Sequence, residues 1–280
     1  MRKSKNARPP QIGRRPAATG SGPRGQWTIL AGLLVLSIIP SVAGGMRVGE
    51  ITSDTPVTPE NARFITLPLP VLLHIVAAVV FSFLGAFQFV PALRHRAPRW
   101  HRFAGRFLVV PSGVIVGVTG IWMTAVYDFP PFDGPWLAVT RHIVGALMLA
   151  FLALSVVAVS RRNVFTHGNW MIRAYALGMG AGTQVLTSGP PAILFGAPDE
   201  FWRTVQMAAG WAINAVAAEL IIAWRKRRRA DRQRFNVEIG GAAHSLEPSD
   251  ARTPARPSDP EPVAPSGRGA PERSAATRTR

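Results

Sequence analysis

The chain of 280 residues contains no cysteine. That excludes disulfides, covalently attached c-type haem, thiolate-held iron–sulfur clusters and cysteine nucleophiles together. Any cofactor has to be held by histidine, methionine, carboxylates or backbone, and only six histidines exist. Acids are also scarce, 15 Asp and Glu against 32 Lys and Arg. Gly-rich phosphate loops, zinc-protease helices and a convincing serine triad are all missing.

What is present is apolar and blocked. Aliphatic and aromatic residues make up 48% of the chain and gather between Trp27 and Trp224 in runs of about twenty. A helical run of that length crosses the roughly 30 Å hydrocarbon slab. Inside the slab the backbone must satisfy its own hydrogen bonds, so successive runs imply a helical bundle. The expected fold is an all-α integral membrane bundle of six spans, near 27–46, 68–92, 105–127, 137–160, 172–196 and 202–224. Its core is 68–224, and Pro190-Pro191 should break or end the fifth span. The formal charge of +17 sits in the tails and short loops. It therefore speaks for membrane topology and against nucleic acid.

The loops orient the bundle. "RHRAPRWHRFAGR" (94–106) carries five arginines and no acid, and "RRNVFTHGNWMIR" (161–173) three arginines and no acid. The alternate loops "DFPPFDGPW" (128–136) and "APDEF" (197–201) carry two acids each and no base, and 47–67 has two arginines against three acids. Basic loops stay on the cytoplasmic side, which places both termini there, in a cell (inner) membrane. "RKRRR" (225–229) after the last span agrees. Residues 1–26, with seven Lys/Arg and no acid, read as a disordered basic arm; 225–280 reads as a basic, then Pro/Ser-rich cytoplasmic tail, disordered from 236. "SVAGG" (41–45) resembles a signal-peptidase site. The long arm favours an uncleaved first span; cleavage would leave five spans in the same orientation.

Two segments repeat. "LHIVAAVVFSFL" (73–84) and "RHIVGALMLAFL" (141–152) share His-Ile-Val, small residues one turn on, and Phe-Leu nine and ten places after the histidine. Spans two and three, with their loop, match spans four and five. Each unit adds a loop histidine (His101, His167), a nearby tryptophan (Trp100, Trp170) and a closing arginine (Arg106, Arg173). Each unit holds an even number of spans, so the copies insert in one direction, as in parallel-repeat membrane folds. Counting along the helix puts His74 and His142 roughly 8–9 Å below the outer boundary. His101 and His167 fall at the inner surface. Two level pairs of imidazoles are the ligand arrangement of b-type haem.

Each residue has a plainer reading beside the functional one. Ala77, Ala78, Gly145 and Ala146 leave room for a flat macrocycle or for close helix packing. His74 and His142 are ionisable groups inside a membrane, where function is the default expectation, or structural hydrogen-bond donors. His101 and His167 are ligands, or contacts to lipid phosphates among arginines such as Arg102. Gln88 lies on the His74 face. Gln184, Asn214 and Glu219 are polar groups in spans five and six, and Glu219 is expected to pair with Arg106 or Arg173. Gly178 and Gly182 form a G-x-x-x-G that suggests close packing, and Trp100, Trp136 and Trp170 stand where interfacial anchors belong.

"HIVAAVVFSFLGAFQF", "RAPRWHRFAGR", "HGNWMIRAYAL" and "WAINAVAAEL" resemble the bacterial membrane proteins grouped as domain-of-unknown-function family 2306, from about His74 to Glu219. That resemblance implies a multipass membrane protein of unassigned activity. A looser similarity is to cytochrome b-561-type four-helix cores. It implies an outer haem iron held by His74 and His142 and an inner one by His101 and His167, although the inner pair falls at helix starts or in loops. The leading reading is a haem-binding redox protein served by a quinol or a cytoplasmic reductant. A transporter or permease, and an assembly scaffold with docking tails, are the alternatives. Oligomeric state is left open.

Overall fold

The computed structural model describes residues 23–130 and 132–245, with side chains for 25–130 and 132–239. Most of the expected basic arm and the tail beyond 245 lie outside the described residues. Every regular element among the described residues is helical. Five helices are long and apolar enough to cross a membrane: Gly25–Thr52, Pro68–Gln88, Pro98–Val126, Pro135–Ser160 and Glu200–Ile239.

Prolines set most of the boundaries. Helix α1 spans Pro23–Thr52, and a short α2 (Ala62–Thr66) leads into α3 (Pro68–Gln88), which has proline in its first turn. Pro91 and Pro98 then divide the basic loop into two short helices, α4 (Pro91–Arg96) and α5 (Pro98–Ala104), because the residue before a proline is driven out of the helical region. Val90 and Ala97 both leave it, at ψ 108° and 63°. The chain next passes through a π-helical turn, Gly105–Val109, into α6 (Val110–Val126). Pro111 explains the widened turn. It has no N–H to give to the carbonyl four residues back, and the Val110 N–H reaches Gly105 O instead.

Helix α7 (Pro135–Ser160) is followed by a tight turn with Arg162 at φ 59°, and Asn163 caps α8 (Val164–Gly178) by accepting from the Thr166 N–H at 3.1 Å. The fifth expected span is delivered in two pieces, α8 and α9 (Gly180–Phe195), with the break at Met179. The Pro190-Pro191 pair, expected to end it, lies inside α9. The glycine-flanked Met179 is where the helix gives way. Helix α10 runs Glu200–Ser245, so the stretch 236–245 expected to be disordered is helical. The arginines, alanines and glutamines of α10 are good helix formers. Residues beyond 229 form a separate unit, whose described part is the end of this helix.

Helices α3, α6, α7 and α8 pack in a ring, each on the next and α8 back on α3, with α1 against α3 and α9. Glycines let Phe81 occupy the centre: a Cβ at Gly113 would lie 2.6 Å from its ring, and one at Gly178 would lie 2.5 Å away. Phe81 is 1% exposed, in a cluster with Met148, Leu152 and Tyr175. Lipid tails are as apolar as these side chains, so association rests on close packing of this kind and not on removal from water. The Gly178…Gly182 pair does what its spacing suggested, Gly178 against Phe81 and Gly182 against the Leu36 carbonyl of α1.

Candidate functional site

The ends of the bundle differ in chemistry. At the acidic-loop end, Asp133 is buried just before α7 and holds two arginines, Arg141 of α7 at 2.7 Å and Arg203 of α10 at 3.1 Å. Arg63 of α2 lies in the same field and donates to the Asp128 carbonyl. Burial pushes its guanidinium below the ordinary value, and the Asp133 charge opposes that. This ion cluster joins α7 to α10 and is not evident in the sequence, where the loop shows only two aspartates without a base.

His74 and His142 lie toward this end. The Thr119 hydroxyl of α6 gives its one proton to the Ile115 carbonyl at 2.6 Å, so toward His74 Nδ1, 2.9 Å away, it accepts. His74 therefore carries its proton on Nδ1. His142 Nδ1 donates to the Ala138 carbonyl of its own helix at 2.8 Å. Both rings keep Nε2 as an unprotonated lone pair when neutral. Each Nδ1 is thus committed to an oxygen and not to the other ring, and α6 packs on both α3 and α7. Beneath His142 a Cβ on Gly145 would meet Ile121 at 2.7 Å, so this glycine serves close approach of α6 and α7.

The basic end gathers more groups. The Pro91 and Pro98 breaks set off the short helices α4 and α5, and His101 of α5 shares the electrostatic field of His167, Arg94 and Arg102. His167 Nδ1 lies 3.0 Å from the carbonyl and 2.8 Å from the hydroxyl of Ser155, which is fully buried on α7. A carbonyl only accepts, so His167 too carries its proton on Nδ1 and leaves Nε2 free. Two amides nearby in sequence are unpartnered: Gln88 through Nε2 and Asn169, 6% exposed, through Oδ1. Sequence reasoning passes over Ser155 and Asn169. The only signal is a serine 12 residues before the loop histidine, across the α7–α8 turn.

The remaining residues singled out from the sequence are structural ties. Arg173 pairs in bidentate fashion with Glu219 of α10, at 2.5 and 2.8 Å, and lies over the Trp170 ring, which stacks on Phe151. Arg106 lies over the ring of Phe107 and takes no part in that pair. Asn214 of α10 spans the α8–α9 break. It donates to the Ala176 carbonyl at 3.0 Å and accepts from Thr183 at 2.8 Å. Gln184 donates to the Met207 carbonyl at 3.0 Å. No three of His, Asp or Glu converge on a bare metal ion among the described residues.

The protein family described as "Predicted membrane protein (DUF2306)" matches residues 71–222, more than half of the chain. The chain belongs to this family. All four histidines, Asn214 and Glu219 fall within the DUF2306 segment, while α1 and Arg225 lie outside it. No curated protein and no solved structure matches the chain.

Proposed function

We propose that this DUF2306 protein is a redox protein of the inner membrane that holds b-type haem between imidazoles, with both termini on the cytoplasmic side. The observation that carries the reading is the basic-end pair. Two histidines from separate elements lie in one another's field, and Ser155 ties one of them so that Nε2 is left as the donor atom. Metal-bound histidines characteristically give their other N–H to a carbonyl in this way. His101 and His167 would hold the iron, and Arg102, in the field of His101, would offset negative charge on the group. The pocket of about 70 Å³ between α1 and the end of α3, and the open cleft of about 510 Å³ beside Trp136 and Phe201, take in no histidine.

Bound haem would supply one-electron chemistry to a quinol or a cytoplasmic reductant. The chain itself fixes the tautomer of His167, excludes water with the Phe81 cluster and keeps cations beside the acid groups. His74 and His142, each with Nε2 free, would form the second level of the same duplicated unit, and α8 with α9 would make the sixth crossing. The test is the absorption spectrum of detergent-purified protein with pyridine-haemochrome analysis. A Soret band lost in His101→Ala and His167→Ala is the expected result. A band that survives both but disappears in His74→Ala would transfer the site to the other end, and colourless protein after haem supplementation would refute the proposal.

One observation favours a second reading. Discontinuous helices near the middle of a membrane are a transporter feature, and α8–α9 is discontinuous at Met179. It weighs less because Asn214 and Thr183 satisfy each other at the break. Solute uptake driven by proton-motive force and abolished by Asn214→Leu would favour it.

A further inference from the structure

We infer that the cleft between the starts of α7 and α10 is a site for an aminophospholipid headgroup, with the ammonium on Glu200 and the phosphate on Arg203 and Arg141. The inference is independent of haem. Its starting point is a carboxylate that has room made for it and no partner. A Cβ on Gly134 would overlap Glu200 Oε1, so the missing side chain of Gly134 lets the carboxylate lie on the chain at the start of α7. Gly134 stands at φ −104° and ψ 178°, extended backbone open to any residue, so space and not strain accounts for the glycine. The acids on either side are engaged: Asp133 holds Arg141 and Arg203, and Asp199 Oδ1 accepts from the Trp202 N–H at 2.8 Å. Glu200 has neither an ion pair nor a side-chain hydrogen bond among the described residues.

The surroundings define which cation. Glu200 lines the cleft of about 510 Å³ together with Trp136, Phe201, Thr204 and Val205, a volume within the range of small-ligand sites. Both walls are fixed before a ligand arrives, which lowers the cost of binding. The Arg203–Asp133 pair ties one helix start to the other, Thr204 Oγ1 donates to the Glu200 carbonyl at 2.9 Å, and the Trp202 ring meets Phe201 edge-on at 5.5 Å. A carboxylate flanked by aromatic residues suits an ammonium group, accepting its N–H groups while the rings face its charge. Arg203 stands one turn along α10 from Glu200, and it shares the single Asp133 carboxylate with Arg141, which leaves an excess of positive charge. Both arginines keep exposed surface, 32% and 26%. A free carboxylate beside that excess matches a zwitterion, with the phosphate on the open guanidinium edges. The cleft lies where two membrane-crossing helices begin, and Trp136 and Phe201 are 72% and 67% exposed there. Acyl chains can follow those rings into the slab, so the zwitterion is a lipid. It is the amine-bearing kind, because a quaternary choline has no N–H to give the carboxylate.

The test uses the full chain in neutral detergent, with native mass spectrometry and thermal unfolding in the presence of phosphatidylethanolamine, phosphatidylcholine, phosphatidylglycerol or soluble phosphoethanolamine. Phosphatidylethanolamine should be retained and raise Tm, while the choline and glycerol lipids should be held about tenfold less well. Glu200→Gln should weaken retention of phosphatidylethanolamine about tenfold and leave the Tm of lipid-free protein unchanged. Gly134→Ala keeps every charge but displaces the flexible end of Glu200, and it should weaken retention in the same way. Asp54→Asn, which removes an exposed acid of the loop 47–67 outside the cleft, should leave retention unchanged. Equal retention of the ethanolamine and choline lipids would reduce Trp136 and Phe201 to interfacial anchors and overturn the proposal. So would a Glu200→Gln variant that binds like wild type, or an Asp54→Asn loss as large as that of Glu200→Gln. Displacement of the lipid by millimolar phosphoethanolamine would overturn the lipid assignment and leave a site for the free zwitterion.

Discussion

Asp133→Asn is the perturbation that best tests how the acidic-loop end is held. The side chain is 2% exposed, while Arg141 and Arg203 are 26% and 32% exposed, so water screens the arginines but not the carboxylate. Asparagine has the same shape and retains one carbonyl oxygen, so it can still accept from one arginine as a neutral group. An exposed ion pair contributes about 0–1 kcal/mol, and breaking a buried one costs about 3–5 kcal/mol. This cluster stands between those limits, and the expected loss is about 2–3 kcal/mol. Denaturation in mixed micelles by increasing SDS reads it directly. The double variant with Arg203→Gln should lose about 1–2 kcal/mol less than the sum of the single losses, because both remove the same contact. Salt at about 0.5 M should change the wild-type protein little, since screening reaches exposed charges first. A loss below about 0.5 kcal/mol, or strict additivity with Arg203→Gln, would refute the idea that one carboxylate ties α7 to α10.

Two single contacts lead to further expected outcomes. Asn214→Leu strips the Ala176 carbonyl and the Thr183 hydroxyl of a partner each, which should cost about 1–3 kcal/mol and raise hydrogen exchange around the α8–α9 break but not in α6; unchanged exchange there would show that the break holds without α10. Gly178→Val places methyl groups where Phe81 stands, since even a bare Cβ at this position would lie 2.5 Å from the ring, and should cost about 1–3 kcal/mol; Phe81→Leu in the same chain should recover part of that, and no recovery would mean the clash lies elsewhere.

Much of the fold can be read from blocks of apolar residues, because the length needed to cross the slab leaves few alternatives. Finer features are harder for identifiable reasons. A linear reading places the break in the fifth span at Pro190-Pro191, the stronger helix breaker in isolation, and not at Met179. In the fold those prolines lie inside α9, which continues past them although the carbonyls of Leu186 and Thr187 lose their helical donors, while Asn214 takes the Ala176 carbonyl from outside the helix. A partner 38 residues away leaves no local trace. Glu219 has Arg106 and Arg173 as candidate partners in the sequence, and it pairs with Arg173. Asp133 counts there only as a loop acid, since nothing in the order of residues says that Arg203 will arrive beside it. The four histidines are legible as a pattern of levels, but the tautomers of His74, His142 and His167 require the hydrogen bonds of Thr119, Ala138 and Ser155.

The two histidine levels also illustrate how a local irregularity decides a site. His74 and His142 stand on regular helices, and each directs its N–H to an oxygen along one helix or on the neighbour. His101 precedes the π-helical turn at Gly105–Val109. Each extra residue in such a turn rotates the preceding segment by about 100° relative to the succeeding one. Without it, a straight α5–α6 helix would aim His101 roughly a quarter-turn away from its present direction. Pro111 creates that turn, and Pro98 ends the freedom of the loop before it. The histidine that looks the weaker candidate, because it sits in a basic loop, thus stands on a segment shaped by two prolines and shares the field of His167.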